Sequence, residues 1–220
     1  MWGFLDLWRR TSLFTDDDVS ALVGARPAIT SRLQEVQAAA FTVAGTVPPQ
    51  RGPGALVLSP ALAVRAQTPQ TQEWLATLVP PESGRGAVPA SAYNVAAQLL
   101  AIEAGVEDHP ARVRVHLGAG VWLTLRADRV AGLTPVEDRD LLVTMEKSSP
   151  RERRDLFSRS SSLTTRENEL LQNLAEGADT RTVAAQLRIS ERTVQDRLKS
   201  VFTKTATSSR RELLAKSLGQ

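Results

Sequence analysis

Gln195, Asp196 and Lys199 bring an amide, a carboxylate and an ammonium together within five residues near the C-terminus. On a helix these positions fall on one side. Their chemistry is that of hydrogen-bond readers of base edges. Gln195 can offer paired hydrogen bonds to adenine, Lys199 can donate to guanine, and Asp196 can accept from cytosine N4. Around them Thr180, Arg181, Arg192, Thr193, Arg197, Lys204, Ser209 and Arg210 supply hydroxyls and cations suited to phosphate oxygens. Phosphate contacts fix position and give salt-dependent affinity without sequence information. The competing reading is a solvated helix face, preferred for Arg211 and Lys216. Asp196 can equally serve to orient Arg192 or Arg197.

Elsewhere the chain offers little chemistry. It has no cysteine and only two histidines, His109 and His116, so a disulfide framework, a thiolate metal site and a structural zinc site are not expected. No acid–base pair, activated nucleophile or metal cluster is legible, so neither catalysis nor a cofactor is expected. Asp16, Asp17 and Asp18 read as acids at the positive end of a helix capped by Thr15. The Gly118-Ala119-Gly120 run reads as a hairpin turn and not a phosphate loop, because no helix with a third glycine follows. Arg112, Arg114 and Arg126 on that hairpin read as a solvated strand face in preference to an anion site.

The reading residues need a frame, and local signals supply one. Thr164-Thr165-Arg166-Glu167 fits a capping box. Leu170, Leu171 and Leu174 recur at helical spacing and Gly177 is a natural left-handed stop, predicting a helix over 165–176. Asp179 caps a short helix through Leu187, with Val183, Ala184 and Leu187 on one face. Arg188 and Ile189 make the turn. Ser190 caps a helix over 191–204, whose Val194, Leu198, Val201 and Phe202 form one apolar stripe. Ser209-Arg210-Arg211-Glu212 is a second capping box, opening a fourth helix with Leu213 and Leu214. Four short helices, one of them polar and exposed, suit a helix-turn-helix domain.

With these residues in view, the segment 163–220 resembles the LuxR-type (GerE-like) DNA-binding domain. The resemblance rests on L-T-x-R-E at 163–167, E-G at 176–177, Val183-Ala184, L-x-I-S at 187–190, Thr193-Val194 and S-R-x-E-L at 209–213. It implies bacterial transcription regulation, a third helix that reads double-stranded DNA, and a homodimer formed through the fourth helix. RNA polymerase is a further partner expected of such a regulator. Four positions depart from the family pattern, one of them Asp196, which adds an acid on the reading face. Arg197 stands where His is common, and Ala206-Thr207 replaces the usual Gly-Val between the third and fourth helices. Glycine there relieves a positive φ, so Ala206 is expected to carry strain or force another turn. Thr207 puts a hydroxyl where an apolar side chain normally packs.

Charge agrees with a polyanion partner for this end. Residues 147–220 hold fifteen Lys and Arg against nine Asp and Glu, whereas the rest of the chain is mildly acidic. No apolar run reaches the length of a membrane span. The N-terminus has an acid in its apolar stretch and no basic leader, which argues against a signal peptide and for a cytoplasmic protein.

The front of the chain reads as α+β. Trp2, Phe4, Leu5, Leu7 and Trp8 are strand-like, and a long helix follows to about Ala40, bent near Pro27. This 1–44 piece is similar to the end of a GAF domain. The chain then reads as starting inside a domain, with an extension upstream of Met1, or docking on a neighbour or second copy, expected. Residues 45–54 read as a Pro/Gly linker. Within 55–147 the expected order is strand (55–58), strand (62–65), helix (68–78), helix (90–104) and strands at 112–117, 121–127 and 141–146. That antiparallel sheet with helices resembles a PAS-like domain. Trp74, Tyr93 and Trp122 are candidates to line an effector pocket; the alternative is that they are core and that the domain is a dimerisation platform. Residues 148–162, rich in Ser and Arg, read as a mobile linker. The expectation overall is a DNA-binding regulator; the alternative is an interaction or sensory module whose helix-turn-helix does not read DNA specifically.

Overall fold

The computed structural model describes residues 13–42, 51–78, 90–106, 108–118, 120–132 and 135–219. They divide into two compact units. One is drawn from residues 51–149, the other from 13–42 together with 150–219. The strand expected at residues 2–8 and most of the linker expected at 45–54 lie outside the described residues.

The first unit is a five-stranded antiparallel sheet with two helices. The elements are β1 (Gly54–Leu58), β2 (Val64–Gln67), α2 (Pro69–Leu78), α3 (Ala90–Glu103), β3 (Arg112–His116), β4 (Trp122–Arg129) and β5 (Leu141–Lys147). The label α1 belongs to Asp16–Ala39 in the other unit. The strand order is β2-β1-β5-β4-β3. Alternation along the strands produces one apolar face: Leu56, Leu58, Leu123, Leu125, Leu141, Val143 and Met145 are all sealed from water. The register sets these residues opposite one another, with Leu56 on Val143 and Leu125 on Met145. Helices α2 and α3 cover that face with Trp74, Leu75, Ala92, Val95 and Ala96. Gly54 is required by close approach: a Cβ there would lie 2.9 Å from Thr71 Oγ1 at the start of α2. The expected strand at 62–65 lies at Val64–Gln67 instead.

The second unit is all helical: α1, α4 (Pro150–Ser160), α5 (Thr165–Ala175), α6 (Thr180–Leu187), α7 (Glu191–Thr205) and α8 (Arg210–Leu218). Helix α1 opens on the expected cap, with Thr15 and Asp18 forming a reciprocal capping box. Two expectations are corrected here. Residues 148–162 are not a mobile linker, because 150–160 form α4, which buries Leu156 and Phe157 together with Arg153, Arg154, Ser158 and Ser160. The front helix does not stand as a separate piece either. Phe41, just beyond α1, meets Phe157 edge to face at 5.2 Å between ring centroids, and the Arg153 guanidinium lies over Phe41 at 5.1 Å. Arg153 also donates to the carbonyl of Lys216, from Nε at 3.3 Å and Nη2 at 3.0 Å, satisfying an orphan carbonyl in the last turn of α8. Its Nη2 reaches the Thr42 carbonyl at 3.5 Å. One buried guanidinium therefore ties the exit of α1, helix α4 and the end of α8 together.

Candidate nucleic-acid interface

Local capping fixes the four C-terminal helices. Thr164 and Glu167 form the reciprocal box that opens α5. The Asp179 carboxylate accepts from the Thr182 N–H at 2.7 Å, which holds its pKa below the ordinary aspartate value. Ser190 Oγ accepts from the Thr193 N–H at 3.0 Å at the start of α7. At α8 the expected box is only half formed. Ser209 Oγ accepts from the Glu212 N–H, but the Glu212 carboxylate passes over Ser209 and accepts from the N–H and hydroxyl of Ser208 at 2.8 and 2.9 Å.

Between these caps the chain turns sharply. Arg188 at the end of α6 and Ala206 at the end of α7 both adopt left-handed backbone, with φ of +52° and +48°. Leu170, Leu171, Leu174, Val183, Val194, Leu198, Val201 and Leu213 close a core beneath the turn. With Val194, Leu198 and Val201 facing inward, the opposite side of α7 is set outward. Arg192, Gln195, Asp196 and Lys199 are all exposed along it, at helical spacing.

Several of the expected residues converge. Thr180 at the start of α6 receives hydrogen bonds from Gln195 Nε2 at 3.4 Å and from Arg210 Nη2. An amide from α7, a hydroxyl from α6 and a guanidinium from α8 thus meet at one spot. Lys199 and Asp196 form an open pair at 3.9 Å, with side chains 79% and 63% exposed. Asp196 is paired with Lys199 and not with Arg192 or Arg197. Arg181 and Arg192 are exposed, Arg197 is half-buried, and Thr193 shares its hydroxyl with Ser190 at 2.8 Å.

Lys204 has a different occupation. Its ammonium lies 2.6 Å from the buried Glu167 carboxylate, which also accepts from Ser200 Oγ at 2.7 Å and from the N–H and hydroxyl of Thr164 at 2.7 and 2.9 Å. Burial would raise the Glu167 pKa, but the bonds from Lys204, Thr164 and Ser200 outweigh it and bring it down to about 2. This network joins the start of α5 to α7. Ser200 and Arg153 were not among the residues the sequence singled out. Their partners lie 33 and 63 residues away, so no local spacing announces them.

The hydroxyl of Thr207 is also accounted for. It is buried and shares a 2.9 Å hydrogen bond with Thr205, whose Oγ1 in turn bonds the Val201 carbonyl at 2.8 Å. The family's apolar contact is replaced by a satisfied polar chain.

The residues proposed to line a pocket do not converge. Trp74 and Tyr93 pack with the helix-covered core. Trp122 alternates with Leu123 and Leu125 and so belongs to the opposite face of the sheet, where it stacks on His116 at 5.0 Å. Trp74 spends its indole N–H on the Gly52 carbonyl at 3.0 Å and carries Arg51 over its ring.

Among the described residues no helix is long and apolar enough to cross a membrane, and no cluster of His, Cys, Asp or Glu is arranged to hold a metal. No curated protein matches the chain. Residues 161–216, about a quarter of the chain, match the family model for bacterial regulatory proteins of the luxR family, and the helices that carry the exposed face of α7 are a helix-turn-helix domain of that type.

Proposed function

We propose that this protein is a sequence-specific, DNA-binding transcription regulator that lays α7 in the major groove. The observation that carries the reading is the exposed row Arg192, Gln195, Asp196 and Lys199, held outward by a sealed apolar stripe on the same helix. Gln195, Asp196 and Lys199 read base edges. Thr180, Arg181, Arg192, Thr193, Arg197, Ser209 and Arg210 hold phosphates. Lys204 contributes to the positive field while bound to Glu167. As a bacterial regulator it acts on DNA in the cytoplasm, with RNA polymerase as a further partner.

The sheet unit is a PAS-like sensory module in this reading. Support comes from the order strand–strand–helix–helix–strand–strand–strand and from a single helix-covered face. An effector held there would meet Trp74 and Tyr93 and not Trp122.

Base readers and phosphate holders fail differently, and this separates their roles. Gln195→Ala in the full chain is expected to relax preference at one base pair by about 1–3 kcal/mol. Arg181→Ala is expected to weaken all sequences alike and to lower the salt slope by about one. Identical profiles for the two variants across a panel of single-base operator changes would refute the assignment.

A further inference from the structure

Gln195 stands on the open side of α7. A glutamine with nothing to hold it can present its carboxamide to DNA in more than one way, because it carries one acceptor oxygen and two N–H donors on Nε2. Turned edge on, with oxygen beside nitrogen, it pairs with adenine, which shows the N7 acceptor and the N6 donor. Turned nitrogen first, it donates to guanine, whose N7 and O6 are both acceptors. Discrimination by this side chain therefore depends on what fixes the plane of its amide.

Thr180, on another helix, fixes it. Thr180 Oγ1 accepts from Gln195 Nε2 at 3.4 Å and from Arg210 Nη2. The two donors lie 15 and 30 residues further along the chain, so α6, α7 and α8 contribute one member each. Both supports of the amide are themselves anchored. Thr180 opens α6 directly after its cap, where the Asp179 carboxylate accepts from the Thr182 N–H at 2.7 Å. Arg210 opens α8 directly after the Ser209 cap. Thr180 and Arg210 are half-buried, whereas Gln195 is exposed. The carboxamide is thus held on one side and open on the other.

We propose, resting on α7 as the base-reading helix, that Thr180 is a positioning residue for Gln195 and sets its preference for adenine over guanine. A hydroxyl has two lone pairs and one hydrogen. In Thr180 the lone pairs take Gln195 and Arg210, and the hydrogen remains for a phosphate oxygen. Once that hydrogen is on a phosphate, Thr180 has none to give to Gln195 Oε1, so the amide cannot turn over without losing its support. One N–H of Nε2 is spent on Thr180. The opposite edge, Oε1 with the second N–H, is the edge that makes the paired contact with adenine. Set against guanine, the same edge brings Oε1 onto the O6 acceptor and leaves both without a hydrogen. The backbone contact and the base choice are in this way joined through one hydroxyl.

The test is binding of the full chain to the motif it selects from a random double-stranded pool, with adenine and with guanine at the base pair where Gln195→Ala loses preference. Wild type is expected to favour adenine there by about ten-fold or more. Thr180→Val keeps the shape and removes the hydroxyl. It is expected to bring the ratio at that pair to within about two-fold, with the preferences at other pairs and the melting curve unchanged. Thr180→Ser is expected to restore the ratio. Arg210→Ala is expected to weaken all sequences alike and keep the ratio, since Thr180 still holds the amide. A Thr180→Val protein with the wild-type ratio, a Thr180→Ser protein without it, or a wild type that prefers guanine at that pair would overturn the positioning role alone. A wild type with no preference at any pair, or a Gln195→Ala protein that loses none, would overturn the base-reading role of α7 together with it.

Discussion

Glu167 holds four donors with one carboxylate: the Lys204 ammonium, the Ser200 hydroxyl, and the N–H and hydroxyl of Thr164. Its folded pKa of about 2 lies below the ordinary 4.5. For a depressed carboxylate, the stability is fully present above the unfolded pKa and is lost as pH falls through the folded one. The C-terminal helices should therefore lose on the order of 3 kcal/mol between about pH 5 and pH 2 on account of this residue. Glu167→Gln should flatten that acid dependence in denaturant titrations of the full chain; an unchanged slope would discount the network. Lys204→Ala should lower stability by about 1–3 kcal/mol, since it leaves a buried carboxylate without its counter-charge. Any loss of DNA affinity in that variant is then partly a folding effect, whereas Arg181→Ala should leave stability untouched. Thr164 and Glu167 were legible as a cap because they are three residues apart. Lys204 read as a phosphate contact because a basic residue at the end of a DNA-reading helix carries no sign of a partner 37 residues earlier.

At the scale of elements, the two joints of the reader store its strain. Ala206 sits at φ +48° with an exposed Cβ, a conformation that costs an L-residue about 1–2 kcal/mol. Ala206→Gly should raise stability by about 0.5–1 kcal/mol after the entropy that glycine adds to the unfolded chain. A fall in melting temperature would show that the turn relaxes some other way. Helix α4 makes the opposite kind of case. Its Ser- and Arg-rich sequence looks like a linker, and what orders it is Arg153 reaching across to the α8 carbonyl and to Phe41. Arg153→Ala should cost about 2–4 kcal/mol, through orphaned carbonyls and lost packing under Phe41. Melting that leaves the helical unit unchanged would show that Arg153 does not clamp these helices. The capped helices α5 to α8 could be placed from their own residues, because caps and 3.6-residue stripes are local. Helix α4 could not, because its apolar partners come from both ends of the chain. The sheet stands between these cases: strand alternation located β1, β3, β4 and β5, but only the packing showed that the helices cover the Leu123 and Leu125 face, which sets Trp122 away from Trp74 and Tyr93.

At the scale of the molecule, the basic excess of residues 147–220 and the match of 161–216 to the luxR family converge on one polyanion-binding unit. The unit draws on more than the family segment, since α1 and α4 are built into it. The central claim is that this unit reads sequence and does not merely attract phosphate. Selection of the full chain on a random double-stranded pool, at salt near 0.15 M, tests it most directly. The expected result is enrichment of one motif bound about a thousand-fold or more tighter than random DNA, and loss of preference at one position of that motif in Gln195→Ala. A pool that stays random, with weak binding that vanishes as salt rises, would contradict it.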